Sequence, residues 1–176
     1  LYSAIHGRGL KGTSTANNSL SPDEIARARN IVLIQSALFG AIGATDLIPS
    51  YKISASKMID GINLKNVWPE PHLNFAWARL GAGPVIDLRS KVYAELAPLP
   101  DAIDSYTVKV FVERADGSRE QLNHFNKKAK GQLVRAALTA KKAPETIKDL
   151  QKCAAAAGLK LVVKGSELTL ITTSAT

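Results

Sequence analysis

The chain of 176 residues is 45% apolar and 22% charged, with 23 Lys and Arg against 15 Asp and Glu and a formal net charge of +8. These values exclude a disordered chain, since this length should bury about 70% of its unfolded surface, and the longest apolar runs, Ile31 to Ile34 and Ala154 to Ala157, fall far short of the roughly 18 residues a membrane span needs. Cys153 is the only cysteine, which excludes an intramolecular disulfide and a zinc site of paired thiolates and points to a reducing compartment. Neither a signal peptide nor a transit peptide is visible, and Leu1 in place of a start methionine is what a fragment or processed chain would show.

Gly7 to Ser21 has three glycines, a run of Ser, Thr and Asn and no apolar period, and is expected to be a mobile loop. Ser21-Pro22-Asp23-Glu24 has the capping-box arrangement and starts a short helix running to about Arg29. Ile31-Val32-Leu33-Ile34 fits a strand buried on both faces and leads into Ser36-Ala37-Leu38-Phe39-Gly40. A helix is expected around His72 to Leu80, where Leu73, Ala76, Trp77 and Leu80 share one face, and then a strand over Pro84 to Leu88.

Thr107 to Glu113 alternates apolar and polar residues, and Ala115-Asp116-Gly117-Ser118 turns the chain back into Glu120 to Asn123, an antiparallel pair with one wet face. Helices are predicted from about Phe125 to Ala140 and from Pro144 to Ala157, the latter stopped by Gly158. Leu159 to Val163 and Leu168 to Thr172 form a closing hairpin. No repeat or long linker divides the chain, so the expectation is one α/β (or α+β) domain over residues 1–176, with a mixed sheet flanked by helices.

Charge is uneven along this order. Up to Leu88 there are 8 basic and 6 acidic residues, and after it 15 and 9. From Gln121 to Pro144 there is no acidic residue, while Lys127, Lys128, Lys130, Arg135, Lys141 and Lys142 supply six positive charges. On a helix, Lys127, Lys128, Lys130, Gly131 and Arg135 would fall in a broad basic stripe near the amino end, where the helix dipole adds to their attraction for a phosphate. Leu133, Ala136, Ala137 and Leu138 would then face the core.

Three segments taken together resemble a known family. Ser36-Ala37-Leu38-Phe39-Gly40 followed by Asp46, Tyr51, Lys52 and Ile53, then Val85 to Ser90 with Tyr93, then His124-Phe125-Asn126-Lys127-Lys128-Ala129-Lys130-Gly131 with Arg135, are similar in order and spacing to the signature of the YaaA-type peroxide stress protein family. Leu1-Tyr2-Ser3 is similar to the entry of that region. The resemblance covers about the last two thirds of such a protein, and the helix-hairpin-helix element that precedes it in the family lies outside it. It implies a cytoplasmic protein that limits oxidative damage by holding down free iron and binds DNA in a positively charged cleft. Lys52 and Lys130 stand where the family usually has Arg, which keeps the charge but loses the planar fork, and Gly43-Ala44 replaces an Arg-Pro pair.

The expected cleft has Lys127, Lys128, Lys130, Arg135, Lys52 and Arg89 as its phosphate-binding cations, with Ser36, Tyr51, Ser90, Tyr93 and Gly131 lining it. Its expected partner is DNA, bound without sequence readout. No cofactor or metal is expected, since no metal-ligand spacing joins Asp46 or Asp87 to His6, His72 or His124. The alternative is an enzyme acting on a nucleobase, nucleotide or nucleic-acid end, with Ser90, Tyr93, Asp46 or His124 as catalytic groups. Against a hydrolase, Ser36 lacks a nucleophile-elbow setting, and a serine at a strand end ordinarily caps the following turn or helix. Cys153 reads as a small core residue, and Lys152 beside it would lower its pKa only if the thiol were exposed.

Overall fold

The computed structural model describes Ile5 and residues 19–75, 83–121 and 126–172. In chain order the elements are α1 (Pro22–Ile31), β1 (Leu33–Ser36), β2 (Gly40–Gly43), β3 (Met58–Ile59), β4 (Ile62–Asn63), α2 (Pro69–Leu73), β5 (Val85–Asp87), α3 (Lys91–Leu96), β6 (Ser105–Glu113), β7 (Arg119–Gln121), α4 (Asn126–Thr139), α5 (Ile147–Ala156), β8 (Lys160–Lys164) and β9 (Glu167–Thr172). The class is α/β with a mixed sheet, as the sequence indicates. The chain divides into two compact units, the first made of residues 1–27 and 106–176 and the second of residues 28–105.

In the first unit β9 is central, parallel to β6 on one side and antiparallel to β8 on the other, and β7 folds back on β6. Alternation decides which face of β6 is inside: Val108, Val110 and Val112 are buried, while Thr107 and Lys109 are exposed. The β6–β7 turn is built as its composition predicts. Gly117 takes φ 80°, and Asp116 Oδ1 accepts the Ser118 amide at 2.9 Å.

Helices α4 and α5 pack on each other, and each packs on the sheet. Leu133, Leu138, Leu150, Ala154, Leu161, Leu168 and Leu170 are buried in this unit, and by strand alternation Ile171 is buried on the opposite face of β9 from Leu168 and Leu170. The Arg27 guanidinium closes the end of α4 by donating to the Leu138 carbonyl at 2.6 Å and to that of Ala140, which satisfies carbonyls a helix end leaves open. The Ser21–Glu24 capping box forms as expected, with Glu24 accepting the Ser21 amide at 2.7 Å and Ser21 Oγ accepting the Glu24 amide at 3.3 Å. Helix α5 begins later than Pro144, because Thr146 is its cap and accepts the Asp149 amide at 3.2 Å.

In the second unit the expectation for Ile31 to Ile34 is corrected. Ile31 ends α1, the strand begins at Leu33, and Leu33 to Gln35 are only half-buried. Among the described residues β1 pairs with β2 alone, so the run is one arm of a hairpin rather than an interior strand. Its connection, residues 37–39, is turned by Gly40 at φ 71°. A second hairpin, β3–β4, turns at Asp60-Gly61, a pair suited to a positive-φ tight turn. The helix expected around His72 to Leu80 is corrected at its start: α2 ends at Leu73 with Asn74 as its cap, so His72 lies near the end of a short helix, and Ala76 to Leu80 lie outside the described residues. Ala37, Ala55, Leu64 and Leu96 form this unit's buried cluster, with Ile53, Ile59, Trp68 and Tyr93 packed against it. None of the described helices is long and apolar enough to cross a membrane.

Candidate functional site

The residues expected to line one basic cleft fall in both units, and burial sorts them. In the first unit, Lys127 and Lys128 are exposed on the opening turn of α4, a 14-residue helix with no acidic residue in that turn. Lys130 is not part of an exposed stripe: it is 6% accessible and interacts within the chain. It sits three and seven residues ahead of Leu133 and Ala137, on the packed side of the helix, where Gly131 is buried as well. Arg135 is half-buried and donates from Nη1 to the Ile5 carbonyl at 2.7 Å. The predicted stripe is thus narrower than its spacing suggests, because α4 buries well over a third of its circumference. His124 lies outside the described residues.

In the second unit Lys52 is exposed. Arg89 is engaged with its own unit: Nε and Nη2 grip both oxygens of Asp87 at 2.9 and 2.8 Å, and Nη1 donates to the Ala97 carbonyl at 2.6 Å. Both side chains of this bidentate pair are largely shielded, at 16% and 8% accessible. The pair ties the end of β5 to the end of α3. Beside it His72 is buried and donates from Nδ1 to the Pro98 carbonyl at 2.9 Å. Burial holds the His72 pKa below its ordinary value, and the Arg89 charge adds to that, while the Pro98 bond and Asp87 oppose it. Arg89 is therefore a structural cation where a phosphate ligand was expected.

The serines and tyrosines separate in the same way. Ser36 Oγ is buried at the end of β1 and accepts the amides of Leu38 at 3.2 Å and Phe39 at 2.9 Å, the capping role ordinary for a strand-end serine. It also meets the Tyr51 hydroxyl at 2.5 Å. Phe39 stands edge-on to the Tyr51 ring, with centroids 5.5 Å apart and planes at 83°. Trp68 donates from Nε1 to the Ala37 carbonyl at 2.8 Å and lies over Gly40, where a Cβ would come within 2.6 Å of its ring. Nothing in the sequence marked Ser36 and Tyr51, 15 positions apart, as bonded partners, or Phe39 and Trp68 as the walls around them.

Ser90 is exposed at the N-cap of the six-residue α3 and makes no side-chain cap bond. Tyr93 packs on the Ala37 cluster. Asp46 is exposed, and its Oδ2 accepts the Gly43 amide at 2.7 Å, closing the turn after β2. In the first unit, Cys153 lines a small depression with Lys142, Ala143, Asp149 and Lys152. Burial, with the Asp149 carboxylate, pushes its thiol pKa up, which disfavours the nucleophilic thiolate. Among the described residues no group of three or more His, Cys, Asp or Glu is placed to hold a metal ion.

Charge follows the two units more closely than it follows the halves of the sequence. The first carries 16 basic and 8 acidic residues, and the second carries 7 of each, so the whole excess of +8 belongs to the first.

The family model described as peroxide stress protein YaaA matches residues 12–162. A "UPF0246 protein" of Corynebacterium glutamicum (strain R) is 38% identical over 141 residues, covering 76% of this chain and 54% of the relative. A UPF0246 protein of Streptomyces coelicolor is 36% identical over 120 residues, covering 68% and 46%, and one of Shewanella sediminis is 28% identical over 134 residues, covering 73% and 52%. The chain spans about half the length of these curated relatives. With the family model matched over most of its length, and with relatives of this identity, the chain belongs to the YaaA peroxide stress protein family.

Proposed function

We propose that this chain serves the peroxide-stress response in the cytoplasm by engaging the phosphate backbone of DNA, and that it protects that DNA by limiting free iron. Family membership supports the peroxide-stress role. The observation that carries the DNA contact is the segregation of charge. All of the net +8 belongs to the unit containing α4, whose first turn presents Lys127 and Lys128 to solvent with no acidic neighbour. Two exposed ammonium groups at the positive end of a helix dipole attract a phosphate and read no base sequence. Lys130, Arg135 and Arg89, each engaged within the chain, are not the contacting cations. Limiting free iron does not require this chain to ligate iron.

The test is the anisotropy of a labelled DNA duplex titrated with the chain at several salt concentrations. Backbone neutralisation predicts that log K falls linearly with log salt, by about 0.9 for each phosphate contacted, and equally for unrelated sequences. Binding indifferent to salt, or absent at low salt, would remove the DNA reading.

A further inference from the structure

Ser36 Oγ has three polar neighbours: the amides of Leu38 and Phe39, at 3.2 and 2.9 Å, and Tyr51 Oη at 2.5 Å. A hydroxyl oxygen has two lone pairs and one proton. The two amides can only donate, and between them they occupy both lone pairs. The Ser36 proton is therefore directed at Tyr51 Oη, which makes Tyr51 the acceptor of the pair. Its own phenolic proton points elsewhere, and no other hydrogen bond engages it among the described residues.

The surroundings fix that donor in place. Phe39 holds the Tyr51 ring edge-on. The turn carrying Ser36 is clamped by Trp68 at the Ala37 carbonyl and over Gly40, and Ala37 is fully buried in its cluster. A donor held this way loses little freedom when a ligand accepts from it. The surroundings also speak to ligand charge. This unit has no net charge, and Arg89 is occupied by Asp87 and Ala97. The loop leading into Tyr51 exposes Leu47 fully and Ile48 by 40%, apolar surface suited to the face of a planar ring.

We propose that Tyr51, with Ser36 as its positioning residue, is a preorganised hydrogen-bond donor for an uncharged acceptor, the carbonyl oxygen of an unpaired nucleobase. This goes beyond the phosphate contact assigned to Lys127 and Lys128 and is tested separately from it. Lys52, next to Tyr51, is exposed, so an anion is the competing ligand.

The experiment compares a thymidine oligonucleotide with an abasic strand of the same length, using the whole chain. Wild type is expected to prefer the base-bearing strand by about three- to tenfold, the scale of one hydrogen bond. Tyr51→Phe, which keeps the ring, and Ser36→Ala should bring that ratio close to one while leaving the affinity for the abasic strand unchanged. That unchanged affinity reports an intact fold and an intact backbone contact. A wild-type ratio of one, or a ratio unmoved by Tyr51→Phe, would overturn the proposal and leave the lysine contact standing.

A second measurement needs no variant: in protein labelled with 13C at tyrosine Cζ, thymidine alone should shift the Tyr51 resonance. A shift with inorganic phosphate and none with thymidine would overturn the assignment of ligand class. If Lys127→Glu/Lys128→Glu leaves abasic binding unaltered, the backbone reading fails while the Tyr51 ratio is still read.

Discussion

The two units use their polar residues in opposite ways. In residues 28–105 the groups that look functional in sequence are largely bonded to their own unit: Arg89 to Asp87 and Ala97, Asp46 to Gly43, Ser36 to two amides and Tyr51. Basic and acidic residues balance there at seven each. In the unit formed by residues 1–27 and 106–176 the excess charge is uncompensated, and two of its lysines stand in solvent on the first turn of α4. Positive charge in a sequence thus reports on binding only where burial leaves it unused. Changes in the first setting should cost stability, and changes in the second should cost salt-dependent affinity.

The largest effect is expected at Arg89. Replacing it with Leu removes the guanidinium counter-charge of Asp87, only 8% accessible, and should lower the unfolding free energy by about 3 kcal/mol in urea denaturation. A loss below about 1 kcal/mol would mean that solvent reaches the pair and that Arg89 is available to a ligand after all. Next is Gly40→Ala, where a φ of 71° and a Cβ position 2.6 Å from the Trp68 ring combine. About 2 kcal/mol should be lost, accompanied by a change in Trp68 fluorescence.

A smaller effect depends on pH. The folded-state pKa of His72 is held below its unfolded value of 6.5, so the unfolded chain binds the extra proton first. Its contribution is complete above about pH 6.5 and is lost as pH falls from there through the folded pKa. The melting temperature should therefore drop between pH 7 and pH 5.5, and His72→Asn, which can still donate to Pro98, should flatten that part of the profile. The smallest effect belongs to the exposed lysines: Lys127→Glu/Lys128→Glu should change unfolding free energy by no more than about 0.5 kcal/mol.

Local signals carried much of this architecture. The capping box at Ser21, the alternation of β6, the Asp116-Gly117 turn and the apolar side of α4 all follow from spacing and turn chemistry. The β3–β4 hairpin leaves only the Asp60-Gly61 turn as its mark in the sequence, because strands of two residues show no period. Ile31 to Ile34 misled because an apolar β-branched run looks the same whether a strand has neighbours on both sides or on one. For the site, composition located the basic helix but could not say which cations were already engaged. The partners of Arg135 and Arg89 include the backbone carbonyls of Ile5 and Ala97, and a carbonyl leaves no mark on sequence.

The proposed DNA contact runs through cations that burial has left in solvent. Its most direct test is the slope of log K against log salt for a DNA duplex, measured for wild type and for Lys127→Glu/Lys128→Glu. If both lysines neutralise phosphates, the slope should become shallower by about two phosphate contacts, and affinity at low salt should fall by about tenfold or more for every sequence alike. An unchanged slope and affinity would place the contact elsewhere and contradict a role for these two lysines.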